Sequence, residues 1–267
     1  MHQDKPLLLQ QRLNDIAQVL RKHPLGLGLL GLGSSGKQSD RMDIYSDLDF
    51  FALVAEGSKQ AFIEDLGWLG AIQPIAFCFR NTYDGYKLLF DDGVFCEFAI
   101  FEPAELVRIP FEEGLFIWRD PSITEQLAVP NRTAPDFSDN IEYLLGELLT
   151  NLYVGMSRYR RGEKLSAMRF IQVYALDRLV NLLDLKLSAT QLACRDKFCI
   201  DRRAEQRHPS YTALLEKCLL GSDKLPEVAA TLLAFTAQHY TINAALKQQI
   251  ENLLNTENLL VSAYHSG

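Results

Sequence analysis

Nowhere in the 267-residue chain is there an apolar run long enough to cross a bilayer. The longest, Leu25 to Gly33, falls far short of the ~20 residues that a transmembrane helix needs. A surplus of positive charge is missing too: 27 Lys and Arg stand against 34 Asp and Glu, for a net charge of −7. That balance argues against a general nucleic-acid binder, which needs basic surface to neutralise phosphates. It leaves room for a small anionic ligand in a local basic pocket. Cysteine is sparse. Cys78, Cys96, Cys194, Cys199 and Cys218 make an odd count, and none sits at structural-zinc spacing. Reduced thiols in a cytoplasmic protein are the expectation. The start, MHQDKPLLLQQRLNDIAQVL, lacks a long apolar core and a small-residue cleavage site, so no signal peptide is expected.

What remains is an ordinary globular composition, 48% hydrophobic and 23% charged, sufficient for a core without disulfide or metal staples. Two halves differ in pattern. Up to about Pro130, short apolar runs alternate with turns. From about Asp136 the period is helical. The stretch AVPNRTAPDFSDN (128–140) reads as a linker, dividing a domain over 1–130 from one over 131–267. In the first half a helix is expected over Leu8–Leu20 and another over 58–70. Strands are expected at 25–33, 48–55, 75–79, 86–90 and 94–101, with an edge strand at 115–118. Asp91-Asp92-Gly93 reads as a hairpin turn. In the second half, helices are expected over 138–159, 163–185, near 210–220, over 225–236 and over 238–262. The fold class is α+β: a small mixed sheet followed by an all-α bundle.

The segment that carries chemistry is GLGSSGKQSDRMDIYSDLDFF (31–51). Gly33-Ser34 ends an apolar strand, and after a twelve-residue spacer Asp47-Leu48-Asp49 opens the next. Residues two apart on a strand share a face, so Asp47 and Asp49 project side by side. Two adjacent carboxylates repel unless a cation lies between them, and Mg²⁺, completed by substrate phosphates, resolves the repulsion. The Gly-Ser bend suits phosphate: backbone N–H groups and the Ser34 and Ser35 hydroxyls can hold its oxygens. Lys37 reaches a γ-phosphate or stands solvated. Glu97 is the one charged residue in the apolar strand VFCEFAIF (94–101). A carboxylate there is costly unless paired or metal-bound. It serves as third metal ligand, as base for an attacking hydroxyl, or as both. Phosphate grip beside paired carboxylates is what phosphoryl or nucleotidyl transfer needs, often with two metal ions about 3.5–4 Å apart.

These residues resemble the polymerase-β-type nucleotidyltransferase superfamily, and within it the antibiotic nucleotidyltransferases, especially the lincosamide type. YSDLDFF (45–51) resembles that group's YSD-acid-F segment, and NLYVGMSRYRRGEKLSAMRF (151–170) its long helix ending in basic-Arg-Gly-Glu. The resemblance spans most of the first 180 residues. It implies metal ligands at Asp47, Asp49 and Glu97, and phosphate contacts at Gly33 and Ser34. It also implies a helical domain closing over the nucleotide, with Arg161 and Lys164 as contributors. The chain departs from the pattern in Ser35-Gly36-Lys37 after the Gly-Ser pair, and in Asp49 where the lincosamide type often has Glu.

Other motifs compete. GLGLLG (26–31) and GLGSSG (31–36) both spell GxGxxG, but no apolar-periodic helix follows, so a dinucleotide fold is not expected. The basic run Arg158, Arg160, Arg161, Lys164, Arg169 either complements a helix dipole or holds triphosphate. Arg202 and His208, an Arg-x5-His pattern, read as a surface loop.

The expected activity is therefore Mg²⁺-dependent transfer of a nucleoside monophosphate, AMP from ATP, onto a hydroxyl of a small acceptor. The acid balance suits a cationic acceptor such as a lincosamide or aminoglycoside. Two alternatives stay open: a same-fold enzyme acting on protein or RNA, and a non-catalytic nucleotide-binding regulatory module. The helical half offers surface for a homodimer.

Overall fold

The structure is a computed structural model and describes residues 5–132 and 136–255. The chain divides into two compact units, Met1–Ala134 and Pro135–Gly267. The fold is α+β, with a mixed sheet in the first unit and helices in the second.

The sheet has six strands: β1 (Gly26–Gly31), β2 (Leu48–Val54), β3 (Ile75–Arg80), β4 (Gly85–Phe90), β5 (Phe95–Phe101) and β6 (Leu115–Arg119). Their order is β3-β4-β5-β2-β1-β6, and all pairings are antiparallel except the parallel β2–β5 pair. The expected edge strand is thus an edge strand. Because β1 and β2 are antiparallel neighbours, the glycine motifs do not open a βαβ unit.

β2 is apolar on nearly every residue because it is central and covered on both faces. Leu48, Phe50, Ala52 and Val54 point into a core shared with Leu88, Cys96, Phe98 and Ile100. Helix α1 (Lys5–Lys22) closes that core through Leu9, Leu13, Ile16 and Leu20, at helical spacing. Phe51 and Leu53 face the other way, into a second cluster with Leu30, Phe101 and Phe111. Asp49 shares their face, one pleat earlier. The expected 58–70 helix is two short ones, α2 (Lys59–Glu64) and α3 (Gly67–Gly70), broken where Asp65 Oδ1 accepts from Gly67 N–H.

Arg12 of α1 fixes the β4–β5 hairpin. Its guanidinium pairs with Asp92 at 2.6 Å and lies over the Phe90 ring, 4.4 Å from its centre. Lys59 plays a similar part in α2, holding Asp84 and Glu105 at 2.6 Å each.

The second unit is built on α4 (Ile141–Arg160), α5 (Lys164–Met168), a π-helical stretch (Arg169–Ala175) and α6 (Leu176–Asp184). It continues with α7 (Ala189–Leu192), α8 (Ala204–Arg207), α9 (Thr212–Lys217), α10 (Leu225–His239) and α11 (Ala244–Asn255). Asn140 caps α4 by accepting from Tyr143 N–H, and Gly162, at φ +81°, follows its end. The expected 163–185 helix runs through the π stretch. The expected 238–262 helix begins only at Ala244, and its positions 256–262 lie outside the described residues, as do 133–135 of the linker. Among the described residues no helix is long and apolar enough to cross a membrane.

His208 corrects the surface-loop reading. It is buried, with Nε2 2.6 Å from Asp184 Oδ1, and the same oxygen accepts from Arg207 Nε at 3.1 Å. Arg207 also donates to the carbonyls of Ile200 and Arg202, so this group pins the 200–208 segment to α6. Arg202 itself pairs with Asp196 at 3.0 Å.

Candidate active site

The bend after β1 is a 3₁₀ turn over Gly33–Ser35, with Gly33 at φ +49°. It folds back on the strand so closely that only glycine fits at two positions. A Cβ on Gly31 would lie 2.0 Å from the Ser35 carbonyl oxygen, and one on Gly36 2.2 Å from that of Gly31. These contacts, not a dinucleotide, account for the glycines of the motif.

The turn is tied directly to the first acidic strand. Ser35 Oγ accepts from Asp49 N–H at 3.0 Å, and Leu32 N–H donates to the Asp49 carbonyl at 2.9 Å. Ser35 is buried in this role, whereas Gly33 and Ser34 are partly exposed. Lys37 is an exposed ion-pair partner of Glu113. The spacer is organised by Asp43, whose carboxylate accepts from Tyr45 N–H and from the Ser46 hydroxyl. Asp47 follows this turn and stands immediately before β2.

Glu97 is the direct register partner of Asp49 in the parallel β2–β5 pair. Neighbouring strands lie about 4.8 Å apart, so the two residues occupy adjacent places on one face. Like charges so placed cost a few tenths of a kcal/mol to about 1 kcal/mol. Lys87, the partner of Glu97 on β4, relieves this, with Nζ 3.2 Å from Glu97 Oε2. Asn81 Nδ2 donates to Glu97 Oε1 at 3.2 Å. Burial pushes the Cys96 thiol up to about 12. Arg12 opposes that rise, and Asp47, Asp49 and Asp92 add to it.

Among the described residues no three His, Cys, Asp or Glu side chains stand close enough together to hold a metal ion between them. The Glu97 carboxylate is engaged by Lys87 and Asn81. The donor set is nonetheless chemically suited to Mg²⁺. That ion takes oxygen ligands, commonly one or two carboxylates, and leaves its remaining positions to phosphate and water.

A cation that sequence pattern does not mark lies near the bend. The Arg41 Nη2 atom lies 3.8 Å from where a Gly33 Cβ would sit, and its Nε is buried without a hydrogen-bond partner. The available signal was that Arg41 is the one arginine between Ser34 and Asp47.

In the second unit the basic run separates into distinct tasks. Arg160 donates to the carbonyls of Leu253 and Leu254, capping α11. Arg161 is paired with Glu163 at 3.2 Å. Arg158, Lys164 and Arg169 line an open cavity of about 610 Å³, where Arg158 is braced by Ser166 and by the Phe170 ring. Of the two residues expected from this run, Lys164 faces that cavity, and Arg158 and Arg169 join it.

No protein-family model matches the chain, and no curated protein matches it in sequence. Among solved structures, an aminoglycoside 6-adenyltransferase from Bacillus subtilis is similar over 93% of this chain and 92% of that one, at 11% identity and a TM-score of 0.33. A likeness this slight carries no weight for the site, whose reading rests on its own geometry.

Proposed function

We propose that the first unit is the catalytic domain of a nucleotidyltransferase that moves AMP from ATP to a hydroxyl of a small acceptor. The observation that carries this reading is the in-register pairing of Asp49 with Glu97 on one sheet face, with the Gly33–Ser35 bend hydrogen-bonded to Asp49. A phosphate-sized anion at that bend would meet the partly exposed Gly33 and Ser34 and the Arg41 guanidinium. Asp47, Asp49 and Glu97, which form no ready three-ligand cluster in this structure, would have to draw together on a bound Mg²⁺, its remaining positions going to phosphate and water. When bound, the metal neutralises charge on the triphosphate.

Glu97 takes the proton of the acceptor hydroxyl. The acceptor oxygen then forms a bond to the α-phosphorus, the bond from that phosphorus to the bridging β-oxygen breaks, and pyrophosphate leaves with the electron pair. Within the second unit by itself, Arg158, Lys164 and Arg169 line a cavity together with Glu163. The net charge of −7 favours a cationic acceptor.

A second reading, a nucleotide-binding module without turnover, draws support from the Lys87–Glu97 pair, which already neutralises the third acid. One experiment separates the two. The protein is incubated with Mg²⁺, labelled ATP and a panel of lincosamides and aminoglycosides, and masses are measured. Gain of one AMP, abolished by Asp47→Asn, supports transfer. ATP binding without pyrophosphate release under any condition supports the module.

A further inference from the structure

Resting on the transferase reading, we propose that the acceptor lies on an apolar platform beside the acids, and so carries an apolar ring or alkyl face next to its reactive hydroxyl. The platform follows from the register. Phe79, Lys87, Glu97 and Asp49 form one row across β3, β4, β5 and β2. Phe77, Leu89 and Phe95 form the adjacent row, two residues along each strand and on the same face. Phe77 and Phe79 are 54% and 56% exposed. Their strand neighbour Cys78 lies on the other face, opposite Leu88, which is in the core.

Farther along β2 and β5, the acids' face is covered by the Phe51–Phe101–Phe111 cluster. Among the described residues, Phe77 and Phe79 stand exposed on this face, beside the charged row. Exposed aromatics next to convergent polar groups are the usual make-up of a small-molecule site. The rings supply contact area and the adjoining carboxylates accept hydrogen bonds from hydroxyl or ammonium groups. Four apolar side chains are too few for a stable contact with a second copy, which takes about 20–30 residues a side. An acceptor polar on every face would leave the rings in water and gain nothing from them.

The test compares the full chain with the Phe77→Ser/Phe79→Ser double variant, both positions being exposed enough to spare the core. Acceptors are a lincosamide, which has an alkyl-pyrrolidine face, and an aminoglycoside, which has none. Expected are a kcat/KM at least about tenfold higher for the lincosamide, and a roughly tenfold rise in its KM in the variant with the ATP KM unchanged. Equal or better use of the aminoglycoside, or an unchanged acceptor KM in the variant, overturns the proposal. So does a dimer by light scattering that the variant converts to monomer, since the face then belongs to a second copy.

If neither acceptor is modified, the transferase reading falls by itself. The platform is then judged by saturation-transfer NMR: contact to the lincosamide alkyl protons, lost in the double variant and kept in Asp49→Asn, supports it, and no contact overturns it.

Discussion

Asp49 and Glu97 face each other across the parallel β2–β5 pair, two carboxylates in register on one side of a sheet, with Lys87 on the outer flank of the second. The core does not require this pairing. Both strands are otherwise apolar on that face, through Phe51 and Leu53 on β2 and Ala99 and Phe101 on β5.

If Glu97 is the proton acceptor, Glu97→Gln keeps the shape and loses the base. Nucleotide transfer should fall by about 10²-fold or more. Because the Lys87–Glu97 pair is over 40% exposed at both ends, the thermal midpoint should hardly move. Steady-state kinetics and a melting curve measure both.

Gly36→Ala should damage the bend. The new Cβ meets backbone oxygen at 2.2 Å, which no rotamer change relieves. A loss of about 2–4 kcal/mol in unfolding free energy is expected, from strain in a tight turn. Urea titration measures it. Gly93→Ala is the control: there a Cβ meets nothing, and only the φ of +85° opposes it.

Arg41→Ala should raise the KM for ATP about tenfold, the scale of one lost charge-assisted contact. Stability should be unaffected or slightly improved, because the guanidinium Nε now sits buried and unpartnered. Loss of stability without change in ATP affinity would make Arg41 a structural residue.

Asp177 gives a pH signature in the helical unit. Burial, and next the charge of Asp201, raise its carboxyl from 3.8 to about 6, with Arg178 opposing. The folded state therefore holds a proton that the unfolded state has released, and stability falls as pH climbs from about 3.8 to about 6. Asp177→Asn should be more stable than the parent at pH 8, by about 1–2 kcal/mol after discounting for solvent screening, and equal to it near pH 3.5. Melting curves at the two pH values decide this.

Much of the first unit was legible because its strands are apolar runs bounded by turn residues, as in GLGLLG, LDFFALV and the DDG hairpin. The same run in β2 reported its central place, since a strand covered on both faces has no alternation. The partners were not legible. Sequence places Glu97 in a strand, but its adjacency to Asp49 depends on β5 pairing parallel to β2 rather than beside its hairpin mate alone. In sequence Ser35 suggests a phosphate contact, as a hydroxyl in a glycine-rich bend does; that it is also buried and accepts from Asp49 N–H is a packing outcome. A following proline makes His208 look exposed in sequence, while Asp184, 24 residues away, draws it inward. Arg41 looks like one more spacer residue in sequence, because only the backbone of the 33–41 turns brings it to Gly33.

The proposed sharing of a metal by Asp49 and Glu97 is tested most directly by Mn²⁺ titration in the presence of a non-hydrolysable ATP analogue, read by water-proton relaxation. Asp49→Asn and Glu97→Gln should each weaken Mn²⁺ binding about tenfold or more, at least the scale of losing a group that only supports a metal ligand. Full Mn²⁺ affinity in Glu97→Gln, with loss only in Asp49→Asn, would contradict the account.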